Sequence, residues 1–142
     1  MEEQNFKNHS KWVPGYHLIT FLAIGVLIVG SIRNLVLFSD QSVYTGTLLL
    51  LISFVLLFLF YFVRIFALRA QDRAIRCEEN FRHYLLTGKQ LPVTLKMRQV
   101  IGLRFASDEE FPELVTKAIA EKLSEKEIKQ AIRTWKSDDY RV

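Results

Sequence analysis

Five cations, Lys122, Lys126, Lys129, Arg133 and Lys136, recur at alternating four- and three-residue steps, a spacing that sets them along one face of a helix. A basic ridge of this kind is a candidate for binding anionic surfaces, because it can hold phosphate groups of lipid headgroups or nucleic acid. Glu121, Glu125 and Glu127 dilute the ridge, and its plainer reading is the solvated face of an amphipathic helix. Asp108, Glu109, Glu110 and Glu113 form the densest run of acids. They fall at the start of a helical pattern, where carboxylates complement the helix dipole, and no histidine, nucleophile or glycine-rich loop accompanies them. Cys77 is the single cysteine, so no internal disulfide can form, and His9, His17 and His83 never fall at ligand spacing with it. The residues therefore nominate no catalytic group, no cofactor-binding group and no metal ligand, and they favour a non-enzymatic protein that needs no cofactor.

The elements that would carry these residues divide sharply along the 142-residue chain. From Leu18 to Val63 the sequence is overwhelmingly apolar, and from Arg64 onward it is densely charged. Residues 1–63 carry Lys7, Lys11 and Arg33 against Glu2, Glu3 and Asp40, so the whole net charge of +4 lies beyond Val63. A split of this kind implies two solvents. A hydrocarbon core of about 30 Å needs about 20 helical residues to cross it. Residues 18–38 and 43–63 both meet that length, and LLLLISFVLLFLFYFV is apolar on every face, unlike the core helix of a soluble protein. With only Ser39–Ser42 between them the spans are expected to form an antiparallel hairpin. Glu2 and Glu3 weaken any reading of the first span as a cleaved signal peptide, and it is expected to remain as an anchor.

Arg64, Arg69, Arg73, Arg76 and Arg82 follow the second span closely, whereas the Ser39–Ser42 link has no Lys or Arg. The positive-inside rule then puts both termini in the cytosol, in an inner (plasma) membrane. Trp12, Tyr16 and Tyr61 would mark the inner interface, and Phe38 and Tyr44 the outer one. Arg33 is either an ion or substrate contact or a side chain snorkelling to the outer headgroups, and its nearness to the interface favours the second. Thr20, Ala23, Leu27, Gly30 and Asn34 form a stripe in the first span that would pack on Gly46, Ser53 and Leu57 of the second.

No Gly or Pro interrupts the chain between Thr47 and Thr87, so the second span is expected to continue as a helical stalk to about Thr87. Along it Ala67, Ala70, Ala74, Cys77, Phe81 and Tyr84 repeat at three- and four-residue steps, a heptad-like seam that Cys77 joins as a small buried hydrophobe. Its partner is either the chain's own C-terminal module or a second copy, which would make a homo-oligomer through the stalk. Past Gly88 and Pro92 come three shorter helical patterns. One covers about Thr94 to Arg104, one follows a capping box at Ser107–Glu110, and one follows a capping box at Ser124–Glu127 and runs through Trp135.

The expected fold is all-α. It comprises a cytosolic tail (1–15), a transmembrane hairpin (16–66), a juxtamembrane stalk (67–88) and a cytosolic helical module (89–142). The strings FALRAQDRAIRCEENFRHYLLTGK (Phe66–Lys89) and IGLRFASDEEFPELV (Ile101–Val115), behind two spans, resemble an uncharacterised bacterial family of two-span membrane proteins, a domain of unknown function. That resemblance implies a membrane location and transfers no activity. The sequence reading is a membrane-anchored interaction or scaffold protein, with the lipid bilayer and a cytosolic or membrane protein as partners. The alternative is a membrane-tethered nucleic-acid-binding regulator using the basic ridge. Only Ser124 separates the last two helical patterns, too little for a helix-turn-helix, so nucleic acid is the weaker partner.

Overall fold

The computed structural model describes Phe6, residues 13–37 and residues 39–137, and the side chains of residues 39–42 are not among those described. Trp12, Phe38 and the charges of Lys7, Lys11 and Asp40 thus lie outside the description. The elements are helical: a π-helical turn Gly15–Thr20 leading into α1 (Phe21–Leu37), then α2 (Ser39–Thr87), α3 (Met97–Leu103), α4 (Phe111–Ala120) and α5 (Glu125–Ala131). Among the described residues the extended pairing is limited to one antiparallel bridge, Ala106 with Trp135. The chain divides into two compact units, Lys11–Ala67 and Leu68–Val142.

Two helices are long and apolar enough to cross a membrane, one spanning Gly15–Leu37 and the other lying within Val43–Thr87. Their apolar stretches are largely uncovered, with Val26 71%, Leu51 60% and Phe58 59% exposed. Within this unit the hairpin is held by a narrow seam. On α2 the covered positions are Gly46, Leu50, Ser53, Leu57 and Phe60, a strict four-three repeat. Gly46 is the point of closest approach, since a Cβ there would lie 2.7 Å from Leu35 Cδ2 and 3.0 Å from Asn34 Oδ1. Ser53 and Ser31 are both buried, and each hydroxyl donates to the carbonyl four residues back, Leu49 and Leu27, at 2.7 Å. Satisfied in this way, a serine presents a small surface and no unpaired donor. At the other end the Tyr16 hydroxyl donates to the Phe60 carbonyl, and the two rings stack at 4.4 Å.

Two details differ from the sequence reading. The link expected at Ser39–Ser42 is already helical and belongs to α2. Ser and Asp favour helix starts, and Ser39-Asp40 begins α2 in keeping with that preference. The contact stripe of the first helix is also shifted by one residue over most of its length, to Ile24, Ile28, Ser31 and Leu35, while Asn34 of the expected stripe does meet Gly46. Gly30 has nothing within 4 Å of where a Cβ would stand. The close approach comes from Gly46 instead, which leaves room for Leu35. Thr20, Ala23 and Leu27 border an open apolar groove of about 350 Å³ with Leu56, Leu59 and Val63.

In the second unit α2 ends at Thr87, where Gly88 takes φ +72° and its N–H donates to the Tyr84 carbonyl at 2.8 Å. Glycine bears this left-handed conformation without a Cβ clash. The chain then runs back along α2, and Leu91 and Leu95 join Val100, Leu103, Phe105, Phe111, Val115 and Ile128 in one buried core with Ile75 of α2. Gly102 lets α3 and α5 touch, because a Cβ there would lie 3.1 Å from Ile128 Cγ2 and 3.2 Å from the Glu125 carbonyl. The Ser124 capping box forms as its spacing predicts, Ser124 N–H donating to Glu127 at 2.7 Å and Glu127 N–H to Ser124 Oγ at 3.4 Å. The Ser107 box does not form: α4 starts at Phe111 behind Glu110, with Pro112 in its first turn.

The hairpin seam generates a direct test. Gly46→Leu inserts a side chain where Leu35 already stands and should cost about 1–3 kcal/mol by overpacking. Leu35→Ala in the same chain should return much of that loss. Thermal unfolding of the four chains of this double-mutant cycle in detergent micelles measures the coupling, and additive effects would mean that the two positions do not meet.

Candidate functional site

The C-terminal part of α2 is where charged side chains and the module meet. Arg82 is its centre, with a side chain only 11% exposed. Nη1 donates to Glu79 at 3.1 Å, Nε and Nη2 to Asp108 Oδ1 at 2.7 and 2.6 Å, and Nη2 also to the Ala106 carbonyl at 2.6 Å. The guanidinium lies over the Phe111 ring, 4.3 Å from its centroid. Planar, always charged and weakly hydrated, arginine suits such a place. Three further residues of α2 tie the returning backbone: His83 Nδ1 lies 2.8 Å from the Lys89 carbonyl, Asn80 accepts from Leu91 N–H at 2.8 Å, and Arg76 donates to the Leu95 carbonyl at 3.2 Å. Spaced three and four residues apart, these groups lie on one side of the helix and satisfy a segment with no ladder of its own.

The buried face of α2 is therefore Ile75, Glu79 and His83. The seam nominated from the sequence faces elsewhere: Ala70, Ala74 and Cys77 are exposed, Phe81 is 62% and Tyr84 53% exposed, and Ala67 is half-buried. Cys77 is thus not the small buried hydrophobe that its place on the seam suggested. The module chooses the polar face because its own backbone groups need the donors and acceptors found there. Phe111 does reach α2, by way of Arg82 and His83.

The five cations of the ridge are likewise separated. Helix α5 stops at Ala131, short of the expected Trp135. Two interactions divert the chain after it: Glu110 accepts from Arg133 N–H at 3.2 Å and Thr134 N–H at 3.1 Å, and residues 134–136 pair with Phe105 and Ser107. Lys129 is buried, bonded to Glu125 at 2.6 Å, with its ammonium 5.2 Å from the Phe105 centroid. Lys136 lies 4.0 Å from Asp108, and Arg133 is exposed beyond the helix end. Lys122 and Lys126, in contrast, open onto a cavity of about 900 Å³ together with Lys96 and Arg98. Periodicity did not reveal Lys96 and Arg98 as members of this group, since they sit in a loosely periodic stretch and join the others only through the packing of α3 on α5.

Over residues 1–142 the chain matches the sequence model of a family described as a family of unknown function, DUF6526. It belongs to that family. No curated protein and no solved structure matches it.

Electrostatics in the site point in two directions. Burial pushes the Glu79 carboxyl up, and the neighbouring Arg82 draws it only part of the way back. Burial also opposes ionisation of Glu125, but hydrogen bonds and charge from Lys129 and Arg98 together hold its carboxyl below its ordinary value. A raised carboxyl binds its proton more tightly in the folded than in the unfolded chain. Glu79 therefore contributes a fall in stability as pH rises from the ordinary glutamate range, about 4.3, through its own higher value. Glu79→Gln should remove that fall, measured as the pH dependence of chemical denaturation. Arg82→Ala leaves Glu79 buried without its counter-charge and should cost about 3 kcal/mol, the lower end for a buried pair because Asp108, the other carboxylate on Arg82, is 57% exposed. Asp108→Asn, at a carboxylate 57% exposed, should cost less than about 1 kcal/mol.

Proposed function

We propose that this chain is a non-enzymatic, membrane-anchored interaction protein. Its two apolar helices form the anchor in an inner (plasma) membrane, and both termini lie in the cytosol, as the arginine excess after Val63 favours. The stalk holds the helical module on one face and offers the other to a partner. The observation that carries this reading is the exposed apolar face of α2, where Phe81 is 62%, Tyr84 53% and Leu85 67% exposed while the opposite face is covered by the module. Aromatic residues left in water on a helix are a favourable place for another helix to bury area. The partner we favour is a second copy in parallel, which brings Cys77 of each chain to the same level of the seam. A nucleic-acid reading draws no support from the ridge residues, since Lys129 is buried and α5 has seven residues.

Reporter fusions test the topology. A reporter active only in the cytosol should work at Val142 and stay silent in the Ser39–Ser42 segment, and the reverse pattern would overturn the assignment. A short thiol crosslinker should give a Cys77 dimer in native membranes, and Phe81→Lys should abolish it. Absence of dimer while Cys77 reacts freely with a maleimide would remove self-association and leave a different protein as the partner.

A further inference from the structure

Cations repel, and gathering several around one cavity costs Coulomb energy even near water. Here four arrive from three chain segments: Lys96 and Arg98 at the start of α3, Lys122 just past α4, and Lys126 in α5. Among the described lining residues Glu125 is the one acid, and it is already engaged by Lys129 at 2.6 Å and by Arg98 at 3.3 Å. Lys122 adds backbone strain to the electrostatic cost. Its φ is +52°, left-handed, at the position where helix ends favour glycine. Around it Lys122 N–H bonds the Ile119 carbonyl at 3.3 Å and Leu123 N–H the Ala118 carbonyl at 3.1 Å, the two hydrogen bonds of a Schellman turn. A lysine kept in this conformation beside other cations is a costly choice for a surface with nothing to bind.

The cavity is also rigidly framed. Gln99 is buried, and its Nε2 donates to the Ala118 carbonyl at 3.1 Å and the Leu123 carbonyl at 2.9 Å, on either side of the turn that carries Lys122. Its Oε1 accepts from Lys96 N–H at 2.9 Å. One buried amide thus fixes the backbone of two of the four cations, and the Gly102 contact holds α5, with Lys126, against α3. With the backbone that bears these cations already fixed, only side-chain freedom is left to lose when a ligand arrives.

We propose that this cavity binds a phosphate-bearing ligand, a phosphomonoester or diphosphate group. The phosphoryl oxygens are held among Lys96, Arg98, Lys122 and Lys126, and the organic portion rests on Ile119 and Leu123. A phosphate, with up to two charges and three free oxygens, matches several separately rooted cations better than a carboxylate with one charge and two oxygens. At about 900 Å³ the cavity has the size of a small-molecule site. The proposal concerns the module alone and stands independently of stalk pairing.

The test uses the full chain in dodecyl maltoside micelles, titrated calorimetrically with pyrophosphate and, in a second arm, with soluble dihexanoyl phosphatidic acid. Saturable one-to-one binding that weakens with added salt is expected in at least one arm. Binding of pyrophosphate identifies a free phosphorylated compound as sufficient. Binding of the phosphatidic acid alone identifies a lipid headgroup as the source. Lys122→Gly should weaken binding about tenfold while raising the melting temperature, because glycine relieves the left-handed strain. Arg98→Ala, at a side chain 81% exposed, should weaken binding with the fold unchanged, and Lys117→Ala, outside the cavity, should not weaken it. The proposal is overturned if neither probe binds, if Lys122→Gly melts higher yet binds as before, if Arg98→Ala binds as before, or if Lys117→Ala weakens binding as much as Arg98→Ala.

Discussion

A guanidinium withdrawn from water is stable only where its donors are met, and Arg82 meets them with groups drawn from separate parts of the chain. Glu79 lies one turn earlier on the same helix, Asp108 and the Ala106 carbonyl follow α3, and Phe111 opens α4. Each contact is modest, and Asp108 is largely in water. Their convergence on one planar group sets which side of α2 the module covers. Once that side is chosen, His83, Asn80 and Arg76 fall opposite the backbone of Lys89, Leu91 and Leu95, and the returning chain is satisfied without a strand of its own.

The arrangement inverts the usual division of an amphipathic helix. Positions 79 and 81 are separated by about 200° around the axis, so the face with Glu79 and the face with Phe81 are nearly opposite. The first is polar and buried, the second aromatic and exposed. Burial of polar groups is tolerable here because the short segment after Gly88 has backbone donors and acceptors outside any helix or strand, which an alanine-rich face could not satisfy. The apolar face remains as a surface of the folded chain, and the interaction reading takes its direction from that inversion.

A similar tension holds at the other end of the module. Gln99 uses its buried amide to secure a turn whose central residue, Lys122, is strained, and neighbouring cations add repulsion. The structure carries both costs next to a tight α3–α5 contact that Gly102 alone makes room for. Stability and charge placement work against each other here, as is common where a protein binds something.

Much of the architecture was legible from local signals. Hydrophobic run length marked two helices able to cross a membrane, Gly88 marked the end of α2 at Thr87, and Ser124 with Glu127 marked the start of α5. Periodicity, caps and breakers act over a few residues, so the sequence alone was enough for helix type and order, the stop of α2 and the start of α5. It did not determine which face of a helix would be covered, or where a helix lacking a breaker would stop. Cys77, Phe81 and Tyr84 read as a seam in need of cover, and apolar spacing alone could not choose between the chain's own module and a second copy. The tertiary structure covered Ile75, Glu79 and His83 instead, because hydrogen-bond demand from a segment returning through space outweighed apolar area. Likewise α5 ends at Ala131 because Glu110, more than twenty residues earlier, takes two backbone N–H groups that a longer helix would have used. The basic cavity is also a product of packing, for Lys96 and Lys122 line it together only once Gln99 has bridged the two segments that bear them.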